Sequence, residues 1–376
     1  MKIYDVELEV KTPTVITKTQ VTNILRCETD IINGSTIRGA FISTLMRNNC
    51  YKYIDVMGKC DKCDNKDCLI RFEIKNPKLV FHPFYPVFNE AVTKPSHPFT
   101  YECKLCEGPN KIFIAKSFQG YDKLRKFDIK QFVNPKKCKE EHYHTLKSIA
   151  ASLIYKTRDG FYRKFRHQHS LLDATGINRY LGSVEIGMLY SYVGIAPGTK
   201  FRGKIVDKAD VLRELKAYGK MKIYVGRGFS RGLGHVEVDI KENKEYFDKR
   251  CEEVSKVLDE LEGKIIFRSL SPVFNLSYKE ETGITSLPIP NPGNLPITQT
   301  LPCLSGLVEV SGYSIKTNMP KVKIKAADIG SLFFCKIKEK IEIDEIVQRE
   351  LFGFEPFSII GLNILEVYPS EYGDFY

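Results

Sequence analysis

A glycine-rich stretch between two strand patterns constrains this chain more than any other feature. Residues 225–238 read VGRGFSRGLGHVEV, with four glycines, two arginines and a closing alternation of apolar and polar residues. Glycine adopts positive φ and allows close backbone approach, and a period of two is typical of a half-buried strand. We therefore predict a glycine loop that leads into a strand and presents Arg227, Phe229 and Arg231.

Such a loop suits a phosphate-bearing ligand. Its backbone amides can form a nest for phosphate, its arginines can make bidentate contacts, and its phenylalanine can stack on a base. Arg231 stands where the dinucleotide-binding fingerprint needs its third glycine, so that fingerprint is excluded. A plain hairpin connection is the alternative. The candidate ligand-binding residues are Gly226, Arg227, Gly228, Phe229, Ser230, Arg231 and Gly232.

The patterns around the loop follow the order strand, helix, strand, long insertion, strand, helix, strand. IYDVELEV alternates like a strand, and Ile37, Phe41 and Leu45 recur at the spacing of an amphipathic helix. This is the order of a split βαβ, or ferredoxin-like, domain. ADVLRELKAYG reads as the second helix of that domain.

The start of the first helix is a second candidate phosphate site. In GSTIRGAF we expect Ser35 to cap the helix and Arg38 to lie within its first turns. A helix N-terminus presents free amides and a positive dipole end. Taken alone, the stretch also fits an ordinary capped helix.

Charge and composition indicate a globular chain with a polyanionic partner. The chain has 376 residues and is 43% hydrophobic, which allows two domains with cores of their own. Its net charge is +11, and residues 111–169 contain 15 lysines and arginines against 5 acidic residues. Such a surplus favours nucleic acid through counterion release, although a solvated basic loop fits equally well.

The beginning of the chain and its hydropathy predict a cytoplasmic protein without a membrane partner. MKIYDVELEV goes straight into a strand pattern and does not read as a signal peptide. The sequence has no run of 18 apolar residues, so we expect no transmembrane helix.

The cysteines predict a structural zinc site. CDKCDNKDC and YECKLC supply two CxxC pairs with 39 residues between them, and such pairs are typical of tetrahedral zinc with thiolate ligands. Cys138, His142 and His144 are competing ligands, and a site of Cys103, Cys106, Cys138 and His142 is an alternative. The candidate ligands are Cys60, Cys63, Cys103 and Cys106, with Cys68 as a substitute for one of them.

Three blocks resemble the RAMP superfamily of CRISPR effector subunits. GSTIRGAF is similar to its first helix start, GRGFSRGLGHVEV to its glycine-rich signature, and HQHSLLDATGINRYLGSVEIGMLYSYVGIAPGTKFRGKI to its central block. The order of FHPFYPVF and PSHPFTYECKLC resembles one branch, the Cas5-like subunit of type III-D interference complexes. In the second half, the expected second glycine loop is reduced to FGFEPFSIIGLNILEV.

The predicted fold class is α+β, with two ferredoxin-like (RRM-like) βαββαβ domains in tandem. The first domain covers 1–240 and carries a zinc-stapled basic insertion at about 55–170. A linker helix at 241–262 leads to a second, degenerate domain at 263–376.

The resemblance implies a non-catalytic RNA-binding subunit. Such a subunit grips the 5′ repeat-derived tag of the CRISPR RNA (crRNA), contacts the large polymerase-like subunit and the first backbone subunit, and meets target RNA only indirectly. The implied RNA contacts include Ser35, Arg38, Arg163, Lys164, Arg166, His167 and His169, besides the glycine loop.

Two enzymatic alternatives stay open. The same superfamily includes the endoribonuclease that processes precursor crRNA, and a metal-independent nuclease of this kind needs a general base, for which His167 and His169 are candidates. In the processing enzymes the glycine loop lies close to the C-terminus, whereas here it lies mid-chain. Target-RNA cutting by a loop aspartate would fall to Asp173, which we interpret as a turn residue.

Overall fold

The structure is a computed structural model. It describes residues 1–17, 24–26, 30–50, 63, 65, 67–106, 112–114, 142, 145–178, 180–261, 263–279, 283–311, 313–314, 319–320, 323–355 and 358–368. Much of the predicted insertion, including Cys60, Cys138 and His144, lies outside these ranges.

The described elements of the first half are mostly strands. In chain order they are β1 (Lys2–Val10), β2 (Ile24–Arg26), α1 (Gly34–Asn49), α2 (Leu69–Lys75), β3 (Leu79–Phe81), β4 (Tyr85–Phe88), β5 (Ala91–Val92), β6 (Lys94–Pro95), β7 (Thr100–Cys103), β8 (Ile112–Ile114), β9 (Leu146–Ser148), β10 (Leu153–Lys156), β11 (Tyr162–Lys164), β12 (His169–Ile177), β13 (Val184–Ile195), β14 (Lys200–Asp207), α3 (Val211–Glu214), β15 (Gly219–Tyr224) and β16 (His235–Glu242).

The second half opens with a helix. Its described elements are α4 (Tyr246–Glu260), β17 (Lys264–Ser269), β18 (Asn275–Lys279), β19 (Gly283–Leu287), β20 (Ile297–Cys303), β21 (Leu307–Val310), β22 (Tyr313–Ser314), β23 (Met319–Pro320), β24 (Ile324–Ala327), β25 (Leu332–Ile337), α5 (Ile343–Phe352) and β26 (Leu365–Val367). Within the described residues, we find no helix whose length and hydropathy would let it cross a membrane.

The largest sheet, which we call sheet one, is built around β1. Its strand order is β15-β16-β1-β14-β4-β5, with β3 also on β14, and all its pairs are antiparallel. Val6 lies opposite Gly203 on one neighbour and opposite Ile240 on the other. Helix α1 covers one face of the sheet, where Ile37 and Phe41 are buried, as the helical spacing predicted.

Two local predictions in this half are wrong. Asn33, not Ser35, is the N-cap of α1, and its side chain makes no capping hydrogen bond. The helix expected over ADVLRELKAYG is only the four residues of α3, because Lys216 and Gly219 adopt positive φ values of 49° and 76° that a helix cannot continue through.

The second half has its own four-stranded antiparallel sheet, which we call sheet two. Its order is β20-β25-β17-β26, and α4 and α5 pack beside it. Phe267 of β17 and Phe333 of β25 are fully buried in its core. The chain is thus a mixed α/β fold with several antiparallel sheets, in agreement with the predicted α+β class.

The two halves share a core. Ile3, Val80 and Val206, on the face of sheet one away from α1, belong to the same buried cluster as Phe267 and Phe333. Polar contacts reinforce this packing, since the Nε2–H of buried His82 donates to the Leu351 carbonyl at 2.8 Å. Burial lowers the pKa of His82 to about 4, so this imidazole is neutral.

A buried ion network links the insertion to sheet two. The Arg268 guanidinium donates to Oε1 of Glu366 at 2.6 and 2.9 Å, and Lys94 of β6 reaches Oε2 at 3.2 Å. Burial alone would raise the pKa of Glu366, but the charges of Lys94 and Arg268 outweigh it and hold that pKa well below its usual range. Glu366 is therefore ionised and depends on its partners.

Candidate nucleic-acid interface

The glycine loop joins β15 to β16 as a hairpin with a structured tip. A 3-10 turn, Phe229–Arg231, lies between Gly228 and Gly232, whose φ values of 86° and 79° close the turn at both ends. The Arg227 amide donates to the Val15 carbonyl at 2.9 Å and so fastens the loop to the segment after β1. The predicted loop and the strand after it are confirmed in this form.

Two of the glycines are required by contacts inside the protein. A Cβ placed on Gly226 would lie 2.3 Å from the Val15 carbonyl oxygen, and one on Gly234 would lie 2.2 Å from that of Val225. No side chain fits at such distances. Close approach is therefore a property of the loop, but for these two glycines the close partner is the chain's own backbone. A Cβ on Gly232 would meet nothing within 4 Å.

The loop presents its polar and aromatic side chains on the surface. Arg227, Ser230 and Arg231 are exposed, whereas Leu233 is buried. Leu233 packs with Val15 and Tyr192 against the inner side of the long hairpin formed by β12 and β13. This apolar anchor holds the arginines at the surface.

Two residues beside the loop were missed by sequence reasoning. The Arg47 guanidinium lies 4.3 Å above the ring of Phe229, and the Tyr224 ring is 4.4 Å from it, centroid to centroid. Arg47 is in the last turn of α1, far from the loop in sequence, so no local pattern could pair them. Tyr224 had a usable signal, an aromatic residue next to the loop. We call Arg47, Tyr224, Arg227, Phe229 and Arg231 the loop surface.

The start of α1 is enclosed by other parts of the chain. A Cβ on Gly34 would lie 2.0 Å from the Phe81 carbonyl oxygen and 2.9 Å from Gly361 Cα. Ser35 is exposed there. Arg47, which contacts Phe229, lies nine residues after Arg38, or about 14 Å along the helix, so the C-terminal end of α1 and not its start lies beside the glycine loop.

Arg38 has an internal partner. Its guanidinium donates to the Glu73 carbonyl at 3.1 Å and lies 3.4 Å from Oε1 of the same residue. Glu73 is fully buried and also accepts from the Lys78 amide at 2.8 Å. Burial raises the pKa of Glu73. Arg38 thus holds α1 against α2.

The predicted basic and histidine contacts divide into exposed and buried residues. Arg163, Lys164, Arg166 and His169 are exposed. His167 is buried, and its Nε2–H donates to the Asp30 carbonyl at 2.6 Å.

The packing around His167 suits a neutral ring. Burial lowers the pKa of His167. Phe165 and Phe201 pack around the imidazole, with ring centroids at 4.8 and 5.6 Å.

Asp173 is not a turn residue. It lies in the middle of β12, is exposed, and accepts a hydrogen bond from the Ser191 hydroxyl at 2.5 Å. The interpretation of DATG as a turn is therefore wrong, because this segment pairs with β13 over nearly its whole length.

Three predicted metal-ligating side chains converge at the end of a small sheet. Strand β7 lies between β8 and β9, and Cys103 ends β7. The ligand atoms of Cys103, Cys106 and His142 lie within 4.8 Å of one another, and Cys106 Sγ is 3.5 Å from Nδ1 of His142. Two sulfurs and one imidazole nitrogen at such separations are a donor set that tetrahedral zinc accepts.

The group favours thiolate at Cys103. Burial alone would raise the pKa of this thiol, but contact with the Thr145 side chain and hydrogen bonds from the Cys106 and Leu105 amides bring it to about 6. Thr145 in turn donates to the His142 carbonyl at 2.7 Å. The thiolate is the form that binds metal.

The structure describes only part of the predicted pairing of the two CxxC motifs. Cys63 and Cys68 are described and lie outside the three-residue group, and Cys68 instead precedes α2 and packs against the first core. His142, left as an alternative from the sequence, joins Cys103 and Cys106. Cys60 lies outside the described residues.

Metal content tests this group directly. We expect about one zinc per chain, and Cys103→Ser should lose it because a thiolate ligand is removed. Cys68→Ser is the matched control and should keep its zinc. Elemental analysis of the purified proteins decides the matter; zinc at background level in the unmodified protein, or equal loss in both variants, would contradict the assignment.

Comparison with known proteins gives structural likenesses only. No protein-family model and no curated protein matches the chain. The chain is similar to a type III-B Cmr-beta structure bound to cognate target RNA and AMPPnP, with 15% sequence identity and a TM-score of 0.49. The match covers 96% of this chain and 95% of that chain.

Two further solved structures are similar. A Csm3–Csm4 subcomplex of the type III-A CRISPR-Cas interference complex has 14% identity, 89% and 92% coverage of this chain and that chain, and a TM-score of 0.38. An oligomeric Cmr4 from Pyrococcus furiosus has 14% identity, 65% and 99% coverage and a TM-score of 0.28. All three TM-scores lie below 0.5.

Proposed function

We propose that the chain is a non-catalytic RNA-binding subunit of a type III CRISPR interference complex. The loop surface carries this proposal. It combines a rigidly fastened glycine loop, the exposed arginines Arg227 and Arg231, and the exposed ring of Phe229. Arginines recognise phosphate by charge-assisted bonds, and aromatic rings stack on unpaired bases, so the surface offers both contacts that single-stranded RNA needs.

Strand order supports the proposed tandem of ferredoxin-like halves. The four core strands of sheet one lie side by side in the order β16-β1-β14-β3. Numbered by their order along the chain, this is 4-1-3-2, the strand order of a ferredoxin-like domain. In sheet two the order β26-β17-β25-β20 is the same. The second half has α5 between its third and last strands, but the hairpin of β18 and β19 replaces the first helix, which fits a degenerate copy.

The finer role follows the sequence resemblance. We assign the chain to the Cas5-like position of a type III-D complex, where it grips the 5′ tag of the crRNA. It would contact the large polymerase-like subunit and the first backbone subunit, and target RNA only indirectly. The zinc bound by Cys103, Cys106 and His142 would be structural, fixing the end of the β8-β7-β9 sheet.

A salt titration of RNA affinity tests the proposed role. Arg227→Ala and Arg231→Ala should each weaken binding, and each should reduce the salt dependence by about one phosphate contact. Neither change should lower the melting temperature appreciably, because both side chains lie at the surface. If both variants bind like the unmodified protein at every salt concentration, the loop is only a hairpin connection.

The endoribonuclease alternative has less support from the site. A general base must reach the 2′-OH of the RNA, and His167 is buried with its Nε2 directed at the Asp30 carbonyl. His169 is exposed, and its ring centroid lies 6.1 Å from that of His167, whose Nε2–H is already donated to the Asp30 carbonyl. The pair is therefore better explained as a buried packing residue, His167, next to an exposed RNA contact, His169, than as a catalytic acid–base pair.

Replacing the two histidines separates these roles. We expect His169→Ala to leave precursor-RNA processing unchanged and to alter stability little. His167→Ala should lower stability by about 1–3 kcal/mol, since it removes a buried ring and its hydrogen bond. A specific RNA cut by the purified protein that disappears in His169→Ala would favour the nuclease over the clamp.

A further inference from the structure

Two lysines and a tyrosine are exposed along strand β15, which runs into the glycine loop. It is an edge strand of sheet one, and Lys220, Lys222 and Tyr224 are exposed at alternate positions along it. Because successive strand side chains point to opposite faces, these three share one face. The row ends at the hairpin tip that carries Phe229.

The Phe229 ring is fixed by two neighbouring side chains but remains partly exposed to solvent. Tyr224 meets it edge to face, with a ring-centroid distance of 4.4 Å and an interplanar angle of 75°. Arg47 lies 4.3 Å above the ring. Even with both contacts, Phe229 is 47% exposed and Tyr224 is 38% exposed. The ring is thus fixed in position while much of its surface faces solvent.

We propose that Tyr224 and Phe229, with Arg47, form a subsite for one unpaired RNA base. This subsite rests on the proposed RNA-binding role and defines the kind of RNA that the loop surface takes. The base stacks on exposed ring surface, and the neighbouring phosphates meet Arg47 and Lys222. Since every base has a π-face, such a subsite selects single strands over duplexes without reading sequence.

The surroundings favour RNA over a protein partner at this place. Arg227 and Arg231 extend from the same hairpin tip, and Arg47 extends from the neighbouring helix end. Guanidinium groups beside aromatic rings add cation–π attraction to stacked bases, in addition to their attraction for phosphates. The pre-formed contact between Arg47 and Phe229 also reduces the side-chain ordering that binding requires.

An introduced fluorophore tests the subsite cleanly. The chain contains no tryptophan, so Phe229→Trp places the sole indole at the subsite. Random-sequence single-stranded RNA of about ten nucleotides should quench this fluorescence by base stacking. A duplex of the same length and an abasic ribose-phosphate strand should not. Phe72→Trp, at a phenylalanine of α2 that is also 47% exposed, is the matched control and should stay unquenched.

Affinity gives a second, independent measure. Phe229→Leu should weaken single-stranded RNA binding by about 5- to 150-fold, the loss that corresponds to 1–3 kcal/mol for one stacked base, with the salt dependence unchanged. Phe72→Leu should bind like the unmodified protein. The arginine variants described above should show the opposite behaviour, a changed salt dependence.

The outcomes separate the subsite from the RNA-binding role. If the unmodified protein binds single-stranded RNA but Phe229→Leu binds equally well and Phe229→Trp is not quenched, the subsite is wrong while the proposed function stands. If Phe229→Leu keeps its RNA affinity but loses a partner chain on purification, the rings dock a protein and the subsite is overturned. If the unmodified protein binds no RNA, both fail.

Discussion

Gly226→Ala should lower the free energy of unfolding by roughly 2–5 kcal/mol and abolish high-affinity RNA binding. Two costs add. The φ of 83° is unfavourable for any residue with a Cβ, by about 1–2 kcal/mol, and the new methyl would lie 2.3 Å from the Val15 carbonyl oxygen, which adds an overpacking cost of about 1–3 kcal/mol. Moving that carbonyl would break its hydrogen bond with the Arg227 amide.

Two other glycines provide graded controls for this prediction. Gly232→Ala carries the cost of positive φ without a clash, since a Cβ there meets nothing within 4 Å, and should destabilise by about 1–2 kcal/mol. Gly39→Ala lies in α1 with open space around it and should be neutral or stabilising by up to about 1 kcal/mol. Denaturant unfolding measures all three. Equal effects at Gly226 and Gly232 would mean that the Val15 contact is unimportant.

Arg268→Met should lower stability by about 3–5 kcal/mol, because it removes the guanidinium bonded to the buried Glu366 carboxylate and leaves Lys94 and the less close Arg250 as its counter-charges. The effect should be largest near neutral pH, where Glu366 is ionised. The double variant with Glu366→Met should lose less than the sum of the two single changes, by more than about 1 kcal/mol, since the uncompensated charge is then gone.

An exposed ion pair is the matched control for Arg268. Arg158 and Glu90 pair at 3.2 Å with side chains 84% and 85% exposed, so Arg158→Met should change stability by less than about 1 kcal/mol. Denaturant unfolding at pH 7 gives both values. A small effect of Arg268→Met, similar to that of Arg158→Met, would show that water or a rearrangement compensates Glu366.

Features set by local sequence could be predicted. The alternation in HVEVDI and the glycines before it predicted a loop leading into β16, because period and turn chemistry act over a few residues. The spacing of Ile37 and Phe41 predicted the buried face of α1 for the same reason. The fold class followed from the order of such elements.

The site depended on partners that lie far apart in the chain. Arg38 donates a hydrogen bond to Glu73, 35 residues away in sequence, and His167 donates one to the Asp30 carbonyl, 137 residues away. Arg47 reaches Phe229 only because α1 crosses sheet one at the end of β15. No periodicity in the sequence indicates these long-range contacts. The candidate RNA contacts were chosen by residue type alone, and in the structure some of them are exposed whereas others pack inside the protein.

The group of Cys103, Cys106 and His142 likewise combines a local motif with a contact that is distant in sequence. The CxxC motif of Cys103 and Cys106 is local and was recognised, whereas its third member, His142, arrives through the pairing of β7 with β9. Spacing alone favoured the other CxxC motif as the partner. Among the described residues, the pairing of β7 with β9 brings His142 beside Cys103 and Cys106, and sequence spacing does not indicate which strand β7 pairs with.

Co-purification tests the central claim most directly. The protein isolated from cells that carry its gene should bring along several partner chains and a short RNA, and sequencing of that RNA should give one fixed 5′ end, because a subunit that grips the repeat-derived tag holds every crRNA at the same place. RNA fragments with scattered 5′ ends, or a chain that purifies alone without RNA, would contradict the account.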